Sequence, residues 1–472
     1  MSNLIKNEIT KVLRKKGIYI MLIIIIAYVV LSNFLYKYFY NKTLISDEYS
    51  EENISILKDE MQSLDTNLSS DLEIYVSDKT TIDTYELLKK YDKNSWQYEI
   101  IKENGTDYIS QINQCKYILK NENALKTVQN QYDEFLKKLD KNNWRTFAEE
   151  ELAMLKQTTK DQTEIDKSDN SQDIQIEALE MRLKYNIEYG NNYKNKALSN
   201  YVQNSLMVAD LEKNNNKTYE EKQQYQEAKA EQAKSKYAIE NDKDIYSENN
   251  LRSMLLKTLS EYELFIIITI VLVAGAIVSD EFNKGTIKLL LVRPYKRSKI
   301  LLAKFITVLI TLLATIIVVC ILQFIISGIF FGFNSLNIPV AEYNFNSGKI
   351  IEMSIFKKML IQIAGKLPIY ILLGTLAFSL STLFNNTAVA ISVTLLGYMS
   401  SDIINQFAHY FKIKWLKFFV TPNWDFTQFY FGKLPNMEGI TLLFSAAICL
   451  VYFIIMLTYS FLVFKHRNIK NV

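Results

Sequence analysis

Six long apolar runs constrain this chain of 472 residues more than any other feature. They cover residues 18–36, 262–278, 305–331, 367–384, 388–404 and 440–464. About 20 apolar residues in a helix cross the ~30 Å of hydrocarbon in a bilayer, and a helix keeps its backbone polar groups bonded where no water can reach them. The runs therefore predict an all-α membrane protein with six transmembrane helices. The first run follows a basic flank, KVLRKKG, as a signal peptide would. It is too long for one, and no small-residue cleavage site follows it.

Charge supplies the orientation. Lys and Arg close to span ends are retained in the cytoplasm. Three basic clusters flank the runs: Lys6, Lys11, Arg14, Lys15 and Lys16; then Lys284, Lys288, Arg293, Lys296, Arg297, Lys299 and Lys304; then Lys465, Arg467 and Lys470. The acidic residues among them are Glu8, Asp280 and Glu281. With six spans, all three clusters share one side if both termini are cytoplasmic, which places residues 37–261 outside the cell. Residues 37–260 hold 31 basic and 41 acidic side chains. The overall charge of +3 is thus a cancellation between an acidic outer segment and a basic remainder, and it argues against a nucleic-acid partner. Cys115 is alone in the outer segment, with Cys320 and Cys449 in spans, so no disulfide framework forms there. The Lys- and Asn-rich, Pro-poor composition suggests a low-GC bacterium, whose plasma membrane is then the membrane expected to be spanned.

The outer segment contains no proline and two glycines, Gly105 and Gly190. Turns between strands draw on both residues, so a helical domain is expected. Ile54, Leu57, Met61, Leu64 and Leu68 recur at a spacing of three and four, as do Leu125, Val128, Tyr132, Phe135 and Leu139. Ile176, Leu179, Leu183 and Ile187 come close to it. Such stripes predict packed helices or a coiled coil. The polar stretch 157–175 reads as a loop. The stretch from Tyr225 to Phe265 reads as one helix running into the second span. The carboxylates lie among lysines as on a solvated face, and no histidine is present. Capture of a substrate and simple spacing or dimerisation are equally open roles.

Residues 279–304, SDEFNKGTIKLLLVRPYKRSKILLAK, carry seven basic residues between two spans. Gly285 should break the emerging helix, Thr286 should cap a short helix over 287–292, and Pro294 should end it. Ser298 should cap the third span. The product is a short, leucine-faced, basic-edged helix at the cytoplasmic mouth. Anionic headgroups alone could hold such a helix. At the N-terminus, Leu4, Ile5, Ile9, Val12 and Leu13 share one helical face opposite lysines, the pattern of a helix lying in the headgroup plane.

The order of Glu281, Gly285, Thr286, Leu289–Leu291, Arg293, Pro294, Ser298, Lys299 and Lys304 resembles the signature of ABC-2 type transporter permeases. The resemblance covers residues 1–36 and 262–472. It implies that 279–304 is a coupling segment that docks on a separate ATP-binding cassette subunit, with Glu281, Gly285, Thr286, Leu289, Leu290, Arg293 and Pro294 as the residues involved. It also implies a homodimer or heterodimer with a second permease, and short helices dipping back toward the membrane within 405–439. The expected organisation is 1–17 interfacial helix, 18–36 first span, 37–261 extracellular domain, 262–278 second span, 279–304 coupling segment and 305–472 spans three to six, with outer loops 332–366 and 405–439. The outer domain is far larger than the short loop of simple members. Larger-looped members include peptide-antibiotic self-protection exporters and sodium-efflux permeases.

No G-x-x-x-x-G-K-[ST] occurs, so no phosphate-cradling loop is expected, and ATP hydrolysis falls to a partner. No cofactor, metal set or nucleophile–base pair is expected; His409 and His466 read as interfacial. The spans read as free of Asp, Glu, Lys and Arg, with Lys366 and Asp402 at their margins, which argues against an ion relay and for an amphipathic or apolar cargo. Gly374, Ala377 and Ser381, and Gly397 and Ser401, read as close-packing positions. The aromatic-rich outer loop around residues 406–431 suits the interface belt. A non-transporting scaffold or sensor is the competing reading. It leaves four additional spans without a purpose.

Overall fold

The computed structural model describes residues 1–39, 48–141, 143–161, 170–286 and 295–467. The chain divides into two compact units, one made of Met1–Phe39 with Glu248–Val472, the other of Tyr40–Ser247.

The first unit begins with α1 (Ser2–Leu13) and α2 (Lys16–Tyr38). The second unit is helical throughout its described residues: α3 (Glu51–Ser63), α4 (Ser69–Leu88), α5 (Trp96–Ile100), α6 (Thr106–Asn113), α7 (Glu122–Asp140), α8 (Arg145–Asp161), α9 (Ser171–Lys184), α10 (Tyr193–Lys213) and α11 (Tyr219–Glu240). Two single π turns, Ile101–Gly105 and Gln114–Ile118, flank α6. Side chains cap several of the helix starts, as expected of Ser, Thr and Asn. Ser50 accepts from the Asn53 amide, Asn192 from Asn195, and Thr218 with Glu221 forms a reciprocal capping box.

The predicted stripes form the core of this unit in part. Ile54, Phe135, Leu139 and Leu179 are buried together with Trp96, Trp144 and Ala148. The first stripe ends early, because Leu64 closes α3 and Leu68 precedes α4. The expected loop at 157–175 is shorter at both ends, with α8 reaching Asp161 and α9 starting at Ser171; residues 162–169 lie outside the described residues. One cation of this unit, Arg182, lies inside it. That guanidinium is buried, stacks 3.8 Å from the Tyr189 ring centroid, and donates to Asn195 Oδ1 at 2.7 Å. Burial pushes the nearby Glu103 and Glu151 carboxyls above their ordinary values.

After α11 the first unit resumes with α12 (Leu251–Glu261), α13 (Glu263–Asn283), α14 (Arg297–Phe331), β1 (Val340–Asn344), β2 (Lys349–Met353), α15 (Ile355–Phe384), α16 (Thr387–Met399), α17 (Ser401–Tyr410) and α18 (Leu442–His466). Six helices are long and apolar enough to cross a membrane: α2, α13, α14, α15, Thr387–Phe407 across α16 and α17, and α18. All six expected runs are therefore helical. The single helix expected into the second span is broken instead. Asp242 adopts a left-handed φ of 52° after α11, Asn250 caps α12 through the Ser253 amide, and the chain bends again at Tyr262.

Two helices are longer than their apolar runs. α14 starts two turns before residue 305, at Arg297 with Lys296 as its cap, so Ser298 lies inside the first turn and caps nothing. α15 starts at Ile355 and carries Pro368 in its interior. The expected outer loop 332–366 thus holds an antiparallel hairpin, Val340 paired with Met353 through Asn344 with Lys349, and the first turns of α15. Within 405–439 the chain makes short 3-10 turns at Lys414–Phe418 and Phe426–Gly432. The hydroxyl of Tyr430 crosses Gly365 to reach the Ile361 carbonyl at 2.5 Å, an approach any side chain at 365 would obstruct.

The core of this unit runs along α13, α14 and α15, where Ile266, Ile270, Ala274, Val308, Leu312, Leu373, Ala377 and Phe378 are buried. Small residues serve that packing as expected at Gly374, where an added Cβ would meet Ile270 at 3.2 Å, and at the fully buried Ala377 and Ser381. Gly397 departs from the expectation, since a Cβ there meets nothing within 4 Å. Gly275 packs instead, directly under Ile391 of α16.

Because Tyr40–Ser247 has its own buried core, it is expected to fold without the spans. Expressed alone, this segment should give a far-ultraviolet circular dichroism spectrum dominated by helix and a cooperative thermal transition. A strand-dominated or featureless spectrum would contradict the assignment.

Candidate functional site

The N-terminal helix meets the bundle through one polar residue that the apolar stripe concealed. Leu4, Glu8 and Val12, spaced four apart, form the buried face of α1. Ile5 and Ile9 are only half-buried, and Leu13 is 54% exposed. The helix is therefore docked against protein along Leu4–Glu8–Val12, which is narrower than the face expected to lie in headgroups.

Glu8 enters a buried knot of charge. Lys304, 0% exposed in α14, donates to Glu8 Oε2 at 2.7 Å and to the Ile277 carbonyl at 3.0 Å, and it pairs with Glu281 Oε1 at 2.8 Å. Lys11 bridges the same carboxylates, at 2.7 Å to Glu8 Oε1 and 2.8 Å to Glu281 Oε1. Beside them Lys15 pairs with Asp280 at 2.7 Å, and Asp280 accepts from Thr387 Oγ1 at 3.2 Å. The Ser279 amide donates to Ser381 Oγ at 3.1 Å. Helices α1, α13, α14, α15 and α16 are thus tied at one end of the unit. The C-terminus joins them: Arg467 donates to the Thr382 carbonyl and Asn385 Oδ1, and Arg297 donates to the carbonyls of Lys465 and Arg467. The described members of the three basic clusters converge on this end.

Burial pushes the Glu8 carboxyl up, but the Lys304 charge and the bonds from Lys11 and Lys304 outweigh it and hold Glu8 below its ordinary 4.5. Burial likewise lowers Lys11, and its bonds to Glu281 and Glu8 carry it above its ordinary 10.5.

The residues singled out in 279–304 divide. Glu281 is 7% exposed and paired; its second oxygen, Oε2, has no protein partner among the described residues. Gly285 takes the left-handed φ of 67° that ends α13, as its helix-breaking role requires. Thr286 is exposed and sits 3.4 Å from the Glu281 carbonyl. Leu289, Leu290, Arg293 and Pro294, with the short helix expected over 287–292, lie outside the described residues. The knot thus anchors both borders of the segment, Glu281 before it and Lys304 after it.

The expectation of charge-free spans is corrected at both ends of the bundle. Lys304 lies inside α14, and Glu263, Asp280 and Glu281 lie inside α13. Lys366 lies inside α15 and bridges Glu263 at 2.9 Å and Asp425 at 2.8 Å. Tyr398, Asp402 and Asn405 share with this triad a cavity of about 220 Å³. Between the two charged ends the described span residues carry no ionised side chain. Next to Glu263, at its end of the bundle, lies a neutral network: Tyr262 donates to Gln323 Oε1 at 2.7 Å, and Ser327 donates to Asn33 Oδ1 at 2.6 Å. Apolar averaging hid these residues, because each charge stands alone within an apolar neighbourhood. Helical extension of the spans past their apolar runs is the signal that could have found Lys304 and Lys366.

Removing one member of a buried, paired cluster strands the others and costs about 3–5 kcal/mol. Lys304→Ala should therefore lower the melting temperature of the detergent-solubilised protein by several degrees, whereas Lys304→Met combined with Glu8→Gln and Glu281→Gln should recover much of the loss. Because Glu8 is held below 4.5, its contribution is complete above that pH and is lost as pH falls through the lower folded value. Limited proteolysis of α1 should accelerate on that acid limb and not between pH 6 and 8. Equal melting temperatures for Lys304→Ala and wild type would contradict the knot's structural role.

Residues 223–470 match a protein family described as a protein of unknown function, DUF2705. Two relatives from Bacillus subtilis (strain 168) are similar to this chain. One, "Uncharacterized protein YhcI", is 31% identical over 201 residues, 43% of this chain and 64% of the relative. The other, "Uncharacterized membrane protein YdbK", is 30% identical over 200 residues, 42% of this chain and 76% of the relative. The chain thus spans a little under two thirds of the first relative's length. No solved structure matches. With more than half of its length matched, the chain belongs to the DUF2705 family.

Proposed function

We propose that this chain is the membrane-embedded permease subunit of an ATP-binding cassette exporter, driven by a separate ATP-binding subunit that docks on residues 279–304. The termini and this segment face the cytoplasm of a bacterium, and residues 37–261 face outward. The observation that carries the reading is the Glu8–Lys304–Glu281 knot. Glu281 and Lys304 border the segment that resembles a coupling segment, and both are locked to α1 through paired, buried charges. Movement imposed on 279–304 would pass directly to α13 and α14, since packed, paired elements shift as bodies instead of deforming. Convergence of the described members of the three basic clusters on one end of the unit supports the orientation.

The cargo proposed is amphipathic or apolar. Its support is the middle of the bundle, which carries no ionised side chain among the described residues. A second reading has an observation of its own. The Glu263–Lys366–Asp425 triad, with Asp402 beside it, lines a polar cavity at the opposite end of the same bundle, as an ion-exporting member of the same class would require.

The coupling role separates from membrane attachment by substitution. Gly285→Leu removes no apolar span and no basic flank, yet it replaces the left-handed turn at the segment's border. Insertion should stay normal while transport-linked ATP turnover falls at least about tenfold; Glu281→Ala should lower turnover too, together with the loss of stability that breaking the knot brings. Lys284, Lys288 and Lys296 changed together to Gln should weaken attachment only modestly. Loss confined to the triple variant, with Gly285→Leu and Glu281→Ala active, would leave headgroup attachment as the segment's role.

A further inference from the structure

Two cavities beside α1 join into one amphipathic cleft. The wider, about 690 Å³, lies between α1 and the end of α13 and is lined mainly by charged residues. The narrower, about 190 Å³, is lined mainly by apolar ones, among them Ile18 and Met21 of α2, Leu272 and Val273 of α13, and Ile391 of α16. Lys15, Ala276 and Asp280 line both, so the charged mouth and the apolar slot adjoin. The slot follows α13 from Asp280 to Thr269. Eleven residues at 1.5 Å rise make that about 16 Å, roughly half of the ~30 Å hydrocarbon thickness and therefore about one leaflet.

The mouth has an unbalanced charge. Lys11 is neutralised by Glu8 and Glu281, and Lys15 by Asp280. Arg14, Lys16 and Lys284 line the same mouth, exposed and with no carboxylate partner among the described residues. A phosphate diester entering here would meet three cations, while a neutral or cationic headgroup would gain nothing from them. The slot below is walled mainly by apolar side chains, with Lys15 and Asp280 paired to each other at its mouth, and would accept an acyl chain.

We propose that this cleft is a binding site for an anionic glycerophospholipid, its phosphate held by Arg14, Lys16 and Lys284 and one acyl chain lying between α2, α13 and α16. The lipid comes from the leaflet at that end of the bundle, the cytoplasmic one in the orientation proposed above. A bound chain would fill the seam between the first span and the rest of the core, and a phosphate would cover the open side of the knot. The site stands on the cavity and its charges alone, whatever the protein transports.

The test uses the full-length protein in nanodiscs of phosphatidylcholine with a minor fraction of spin-labelled phosphatidylglycerol or spin-labelled phosphatidylcholine. Wild type should show an immobilised component that favours phosphatidylglycerol. Arg14→Gln, Lys16→Gln and Lys284→Gln together should reduce that preference about tenfold. Gly17→Leu should abolish the immobilised component by filling the slot. A Cβ at Gly17 meets nothing within 4 Å, and leucine is the better helix former, so the fold should be kept. The charge-conserving pair Arg14→Lys with Lys16→Arg should bind like wild type, which guards against misfolding as the cause of any loss. Equal immobilisation of the two lipids would overturn the proposal. So would binding that survives in Gly17→Leu and is displaced by inorganic phosphate, since that marks a site for a free anion.

Discussion

The pairing of Lys304 with Glu8 and Glu281 is the constraint on which the rest of this unit depends. An ammonium with 0% exposure inside an apolar helix is costly to bury and is tolerated only where carboxylates surround it. Here those carboxylates come from α1 and from the end of α13, and Glu8 of α1 lies 296 residues from Lys304 in sequence. Chain segments far apart are thereby obliged to meet, and α1 is held as a part of the bundle instead of a free surface helix. Lys11 closes the knot from the solvent side, bonding both carboxylates.

Charge is sorted along the axis of the bundle. One end collects the described members of the three basic clusters around the knot, the other carries Lys366 between Glu263 and Asp425. The stretch between them relies on apolar packing, and a neutral network of Ser32, Asn33, Tyr262, Gln323 and Ser327 joins the helices next to Glu263. In hydrocarbon, hydrogen bonds between span side chains contribute modestly, about 0.6 kcal/mol each on average. Their geometry still specifies which helices may pair. Asn33 and Gln323 together select α2 as the neighbour of α14, a choice that apolar surfaces alone would leave degenerate.

Much of this was legible in the sequence because span length and helical period are set by fixed dimensions. Every apolar run is a helix, and Gly285 ends α13 where its freedom of φ predicts. What escaped is tertiary in origin. Glu8 looked like an isolated charge on an amphipathic helix, and its partners lie hundreds of residues away. Lys304 and Lys366 looked like span margins, because a hydropathy run stops at a charge while a helix with a paired charge continues. The hairpin 340–353 is built on short strands around an Asn- and Gly-containing turn, too little alternation to read within a loop. Arg182 carries no mark in the sequence, and only its stacking on Tyr189 distinguishes it.

The account stands or falls on the partner that supplies energy. The most direct measurement is purification of the affinity-tagged full-length protein from its own membranes in mild detergent, followed by mass spectrometry and an ATPase assay of the intact complex. A stoichiometric ATP-binding cassette subunit should accompany the chain, and ATP turnover should reside in the complex and vanish when that subunit is stripped away. Recovery of the chain with its fold intact and no nucleotide-binding partner, under conditions that preserve known exporter complexes, would contradict the account.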